Sequence, residues 1–278
     1  HLMMQGFDPA AMLAAIDNEA LRITNIGGVP AMWGAMSLMP NIDDVDLSRI
    51  RVAATGAESV PEPMLKAWQQ RGILLQEVYG MTETSGVVCM AQKADLPEHM
   101  GYAGRALPYG DVKVMRSDTE EAEPGTLGEI WMRGAAVTPG YWNRPDATEE
   151  AFVGDWLKSG DIGRRDHTGR LSVEDRIKDM YISGGENVYP AEVESTLMAH
   201  PDIREVAVIG VADPKWGEVG CAVIASISGE AVSLEAVHRQ CEGQLARFKW
   251  PQQVVQTEAL PRNSTGKVQK FLLRQTYA

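Results

Sequence analysis

Along residues 9–20 the apolar positions Met12, Leu13, Ile16 and Ala20 recur at helical spacing behind Pro9, which predicts an amphipathic helix opened by a proline. The pattern then shortens. Residues 23–29 read as a buried strand stopped by Pro30, and residues 51–54 as a second strand running into a turn of small residues, Thr55-Gly56-Ala57-Glu58. Pro61 opens another helix, with Met64, Leu65 and Trp68 on one face and Gly72 at its end, and residues 73–78 form the next strand. Strands alternating with helices predict a parallel α/β sheet, whose ligands sit beyond the carboxyl ends of its strands. Two segments occupy such ends: Thr55-Gly56-Ala57-Glu58 and Tyr79-Gly80-Met81-Thr82-Glu83.

The texture changes after residue 101. Residues 111–115, 128–133 and 171–174 are short alternating strands between turn-rich loops, which predicts a small antiparallel barrel or sheet. Beyond Asp179 it changes again. Pro190 opens a helix with Val193 and Leu197 on one face, residues 205–211 and 219–227 read as strands, and Ser233 caps a helix carrying Val237, Cys241 and Leu245. A last helix runs through Val268, Leu272 and Gln275. The expected fold class is therefore a partial parallel sheet plus a small antiparallel β-barrel over residues 1–177, divided near residue 100, followed by a small α+β domain over residues 178–278. At the start, His1-Leu2-Met3-Met4 is apolar and reads as the end of a strand cut open.

Composition narrows the function classes. The chain has 278 residues, 44% hydrophobic and 23% charged, as in soluble globular proteins, and its net charge of −12 argues against a nucleic-acid surface. The three cysteines, Cys89, Cys221 and Cys241, form no paired spacing, so neither a disulfide framework nor a zinc site is expected, and a reducing, cytoplasmic compartment fits. The histidines show no metal-site spacing. No apolar run approaches the roughly 20 residues of a membrane span. Nothing in the composition argues against a homo-oligomer.

Several segments carry chemistry. Thr82 and Glu83 place a hydroxyl and a carboxylate together at a strand mouth, which suits either a capped polar turn or a magnesium-bound phosphate. Asp161 ends Ser159-Gly160-Asp161, where a carboxylate can bond its own backbone or accept both hydroxyls of a ribose. The charged run Asp175-Arg176-Ile177-Lys178-Asp179 leaves a strand at the expected domain boundary, either as a solvated linker or as a hinge. Ser183-Gly184-Gly185-Glu186 follows, its two glycines permitting close backbone approach. Near the end, Pro261-Arg262-Asn263-Ser264-Thr265-Gly266-Lys267 tethers one ammonium group behind a stiff turn. It is no Walker loop, since Pro261 stands where that motif needs its first glycine and Val268 where it needs Ser or Thr.

Together with Gly128-Glu129-Ile130-Trp131-Met132-Arg133-Gly134 and Gly140-Tyr141-Trp142-Asn143-Arg144-Pro145, these segments resemble, in order, the motifs of the adenylate-forming superfamily. That superfamily includes acyl-CoA synthetases, firefly luciferase and the adenylation domains of peptide synthetases. The resemblance implies a two-step reaction, in which a carboxylic acid and magnesium ATP give acyl-adenylate and coenzyme A then displaces AMP. Carried over residue by residue, it implies that Gly56, Ala57 and Glu58 flank adenine and that Tyr79 lies against the ring beside Gly80. Thr82 would touch phosphate, Glu83 would hold Mg2+, and Asp161 and Arg176 would bind ribose. Lys267 would bridge the carboxylate and phosphate oxygens, Lys178 would be the hinge, and Gly184, Gly185 and Glu186 would line the pantetheine path.

One departure qualifies the resemblance. The superfamily's Ser/Thr/Gly-rich loop ending in Pro-Lys-Gly, which wraps the outer phosphates, is absent from this sequence, so the chain is expected to be the carboxyl-terminal part of a longer enzyme with little activity alone. Residues 26–33 and 81–88 are apolar and small, which suits an uncharged acyl tail. A fatty acid is the expected substrate, with an aryl acid of the coumarate or benzoate type as the alternative. A non-catalytic binding fragment is the competing class.

Overall fold

The computed structural model describes residues 2–58, 60–96, 98–263 and 266–278. Among the described residues there are seven α-helices: α1 Pro9–Asp17, α2 Pro30–Ser37, α3 Glu62–Gln70, α4 Pro145–Ala151, α5 Pro190–Leu197, α6 Leu234–Cys241 and α7 Lys270–Tyr277. The strands fall into three sheets. The first holds β1 Asn25–Gly28, β2 Val52–Gly56, β3 Gln76–Met81, β4 Gly86–Met90 and β5 Arg105–Ala106, in that spatial order. β1, β2 and β3 are parallel, as the alternation predicts, while β4 and β5 pair antiparallel at one side.

Helices α1 to α3 cover this sheet and bury apolar side chains between them and it. Leu13, Ile16, Ile26, Trp33, Met36, Leu65 and Trp68 form one buried cluster, in which Trp33 and Trp68 meet edge to face at 5.0 Å. The Trp33 indole N–H donates to the Gly28 carbonyl at 3.1 Å, which ties α2 to the end of β1. Three local readings change. The first helix stops at Asp17, before Ala20. β2 continues through Thr55 and Gly56, so the expected turn there begins only at Ala57, and residues 2–4 lie in no strand. His1 lies outside the described residues.

The second sheet comprises β6 Gly110–Ser117, β7 Glu120–Glu121, β8 Gly128–Gly134, β9 Phe152–Val153, β10 Trp156–Arg165 and β11 Leu171–Arg176. Its order is β11-β10-β8-β6-β7 with β9 beside β10, so among the described residues it is an open antiparallel sheet and not a closed barrel. The third sheet comprises β12 Tyr181–Ser183, β13 Glu186–Val188, β14 Ile203–Asp213, β15 Gly217–Ser226 and β16 Gln253–Gln256. Its central hairpin is buried on both faces. Val206, Val208, Ala222 and Ile224 pack toward α5 and α6, while Ala207, Ile209, Cys221 and Val223 pack toward Leu260 and Leu273. That double burial is why its two strands read as near-continuous apolar runs. All three cysteines are free and buried. No helix among the described residues is long and apolar enough to cross a membrane.

Candidate active site

The candidate site begins where β2 and β3 end side by side. Gly56 lies so close to β3 that a Cβ there would strike the Val78 backbone and side chain, so only glycine allows this approach. Ala57 follows with φ of +75°, a left-handed conformation that costs a non-glycine residue roughly 1 kcal/mol and turns the chain sharply toward Glu58. On β3, Tyr79 is buried in the core shared with the second sheet, and its hydroxyl donates to Asp161 Oδ2 at 2.8 Å. Gly80 passes the Gly86 carbonyl with no room for a side chain. Beyond Met81 the chain turns through a short 3-10 helix, Thr82–Thr84, which leaves the Thr82 side chain exposed and Glu83 half-buried.

Asp161 lies on β10, opposite Arg176 in register, and its Oδ1 is 3.3 Å from Arg176 Nε. Burial raises the Asp161 pKa, against the lowering effects of the Tyr79 hydrogen bond, Arg176 and Lys267. Glu129 braces this turn and is itself anchored by Trp131. Glu129 accepts from the Gly160 N–H at 3.0 Å through one carboxylate oxygen and from the Trp131 indole at 2.9 Å through the other. The motif around Glu129 is visible in the sequence, but nothing local assigns it to a turn 31 residues away.

Lys267 comes from the far end of the chain. Its turn is closed by Arg262 pairing with Val268, by the Asn263 N–H donating to the Lys267 carbonyl at 2.9 Å, and by the Lys267 N–H donating to Asn263 Oδ1 at 2.9 Å. Ser264 and Thr265 of this motif lie outside the described residues. Gly266 has φ of +90°, and a side chain built on it would meet, among the described residues, only Val29, in the apolar segment suited to an acyl tail. Burial lowers the Lys267 pKa, helped by the positive charges of Arg176 and Lys178, while Glu58 and Asp161 oppose that lowering. Glu58, Tyr79, Asp161, Arg176 and Lys267 are therefore linked, each hydrogen-bonded to, ion-paired with or electrostatically felt by another of the set.

Of the remaining candidates, Lys178 reaches this cluster only through its charge on Lys267, and the others stand apart from it. Glu83 Oε1 accepts from the Tyr141 hydroxyl at 2.8 Å, and its carbonyl accepts from the Thr138 N–H at 2.7 Å. Tyr141 belongs to a motif visible in the sequence, yet its service to Glu83 was not legible there. Lys178 is exposed on the turn between β11 and β12. Gly184 and Gly185 form the tip of the β12–β13 hairpin with φ of +61° and +89°, where Gly184 abuts the Trp216 ring and Glu186 opens β13. No hydrogen bond or ion pair joins residues 184–186 to the cluster among the described residues.

The donor set fits a magnesium nucleotide. Asp161 offers a shielded carboxylate already oriented by a phenol and a guanidinium, as a ribose diol requires. Glu83 is a single carboxylate, and magnesium bound through phosphates commonly takes only one or two from protein. No group of three or more potential ligands occurs among the described residues, so a preformed all-protein metal cage is not the arrangement here.

Residues 1–142 match the AMP-binding enzyme family, and residues 192–267 match the AMP-binding enzyme C-terminal domain. The chain is 40% identical over 272 residues to indoleacetate–CoA ligase of Aromatoleum aromaticum, covering 98% of this chain and 53% of that protein. It is 39% identical over 277 residues to a long-chain-fatty-acid–CoA ligase of Mycobacterium tuberculosis, covering 100% of this chain and 54% of that protein. Among solved structures, o-succinylbenzoate CoA synthetase of Bacillus subtilis, in complex with its acyl-adenylate intermediate, superposes with a TM-score of 0.87 at 34% identity. That match covers 98% of this chain and 54% of the other. The chain thus spans about half the length of the relatives it matches. With the motifs in order, the fold shared and the family matched over both segments, the chain belongs to the AMP-binding, adenylate-forming enzymes.

Proposed function

We propose that the protein is an AMP-forming acid–thiol ligase that joins a carboxylic acid to coenzyme A, with residues 1–177 belonging to its large domain and residues 178–278 to its small one. The observation that carries the reading is the convergence of Tyr79, Asp161, Arg176 and Lys267 from two sheets and a terminal turn. A binding module has no need of an ammonium group delivered beside a ribose-type carboxylate.

In the first step an oxygen of the substrate carboxylate attacks the α-phosphorus of ATP, and pyrophosphate leaves with the electrons of the broken P–O bond. Lys267 would place its ammonium between the two reacting groups, where negative charge accumulates, and such a placed cation is worth roughly 10²–10³ in rate. Asp161 and Arg176 would hold the ribose, with Gly56, Ala57 and Glu58 lining the adenine and Tyr79 beside it. Thr82 would donate to phosphate. Glu83, oriented by Tyr141, would hold Mg2+, which neutralises phosphate charge when bound.

In the second step the coenzyme A thiolate attacks the acyl carbon and AMP leaves. Lys267 has no further work there. We take residues 1–177 and 178–278 as the two moving bodies, turning about Lys178, so that Gly184, Gly185 and Glu186 replace the lysine turn along the pantetheine path. Their position on an unengaged hairpin supports that exchange.

A fatty acid is the first reading for the acid, supported by the apolar segment beside Val29 and the fatty-acyl relative. An arylalkyl acid is the second, since the indoleacetate relative is as similar. A panel of fatty, cinnamic and indole carboxylic acids tested with the whole protein by pyrophosphate release separates the two. Lys267→Ala should lower adenylation about 10²-fold or more while leaving thioester formation from supplied acyl-adenylate intact. Unchanged adenylation in that variant would refute the enzyme reading of Lys267.

A further inference from the structure

Glu58 lies in the turn that follows β2 of the first sheet, yet its carboxylate is engaged by the turn that carries Lys267. Its Oε1 accepts the Val268 N–H at 3.1 Å, and its Oε2 lies 3.8 Å from Arg262 Nη1. Arg262 Nη1 also donates to the Gly266 carbonyl at 2.6 Å, and Arg262 Nη2 lies 3.6 Å from Glu205 Oε1 on β14. Arg262 and Val268 are the two residues that pair across the base of the lysine turn. A single carboxylate from the turn after β2 therefore grips both legs of the lysine turn, and Arg262 is shared between Glu58 and Glu205 of the third sheet.

We propose that Glu58 is a positioning residue for adenylation, a clasp that sets the Lys267 turn in register with the nucleotide site and lets go when the small domain turns. The idea rests on the ligase reading above and goes beyond it, since that reading gives Glu58 only a place beside adenine. Both contacts are polar and partly solvated, which makes them reversible: water can replace each partner as the turn withdraws. A buried apolar contact would resist that separation.

The test uses the whole protein and reads the two half-reactions separately. Glu58→Gln keeps an oxygen for the Val268 N–H but loses the charge facing Arg262, and Glu58→Ala loses both. Adenylation kcat, from ATP–pyrophosphate exchange, should fall modestly in E58Q and about tenfold or more in E58A, with the KM for ATP within about twofold. Thioester formation from supplied acyl-adenylate should be unchanged or faster. Arg262→Gln breaks the same clasp from the other side and should give the same pattern, which keeps the proposal testable if E58A fails to fold. A raised KM for ATP with kcat intact would make Glu58 an adenine contact and overturn the clasp. Equal loss of both half-reactions would reduce it to a folding role. Should Lys267→Ala leave exchange intact while E58A lowers it, the fault would lie with the role given to Lys267, and the clasp would fall with it.

Discussion

At the scale of single residues, Asp161 is the group whose surroundings say most. Burial works against its charge, and the Tyr79 hydroxyl and Arg176 restore it. Tyr79→Phe removes one of those supports without changing the ring, so the Asp161 pKa should rise further and its hold on a ribose should weaken. AMP affinity measured by calorimetry should drop about 5- to 20-fold, a fraction of the roughly 10- to 150-fold that a hydrogen bond to a charged group is worth, since the lost bond acts on AMP only through Asp161. Unchanged affinity would mean that the hydroxyl does not orient the carboxylate. The pair itself was not legible in the sequence, because its members are separated by 82 residues and only the folded sheets bring them together. Asp161, Arg176 and Lys267 could be named beforehand because each sits in a short motif. Glu129 and Tyr141 could not be given roles, because a residue that orients another carries no local signature.

Among the elements, β3 carries a conflict that its apolar neighbours do not reveal. Glu77 lies on it with its pKa raised to about 7 by burial, only partly offset by the Gly101 N–H, and its Oε1 has no hydrogen-bond partner among the described residues. Thr55, its register partner on β2, also has an unpartnered hydroxyl. A carboxyl whose folded value lies above the ordinary 4.5 binds its proton more tightly in the folded state. The stability it permits is full below that ordinary value and is lost as pH rises through about 7. Glu77→Gln should therefore raise the melting temperature more at pH 8 than at pH 5. A difference that does not vary with pH would contradict the assignment.

The elements that read well were those with one apolar face, such as α3, or a doubly buried run, such as β14 and β15. α2 escaped notice because it is apolar on nearly every side and contains Gly34, so it shows no stripe and one helix-weakening residue. β16 escaped because it is four residues long and joins its sheet parallel to β15. The division between sheets was legible as a change in texture, whereas the openness of the second sheet depends on edge pairing, which composition does not encode.

At the scale of the whole molecule, the chain spans about half the length of its relatives and has no phosphate-wrapping loop in its sequence. The 278-residue chain by itself should therefore catalyse pyrophosphate exchange at least about 10²-fold more slowly than the whole protein, since the outer phosphates would lack their cradle. Exchange at a comparable rate would show that the nucleotide is activated by the groups described here alone. One further arrangement bears on how the two bodies move. α7 follows directly on the lysine turn, and it is held at two points: Lys270 Nζ, at its first residue, is 2.7 Å from Glu194, and Arg274 Nη2, about one turn further on, is 2.7 Å from Asp179, the neighbour of Lys178. Four residues along the helix put the two ties about 6 Å apart, between the proposed pivot and the lysine turn. If the small domain turns about Lys178 as proposed, this helix acts as the arm of a crank, and the arc the ammonium would travel has a radius set by the helix. Lengthening or shortening α7 would then misplace the stroke without touching a single residue of the pocket.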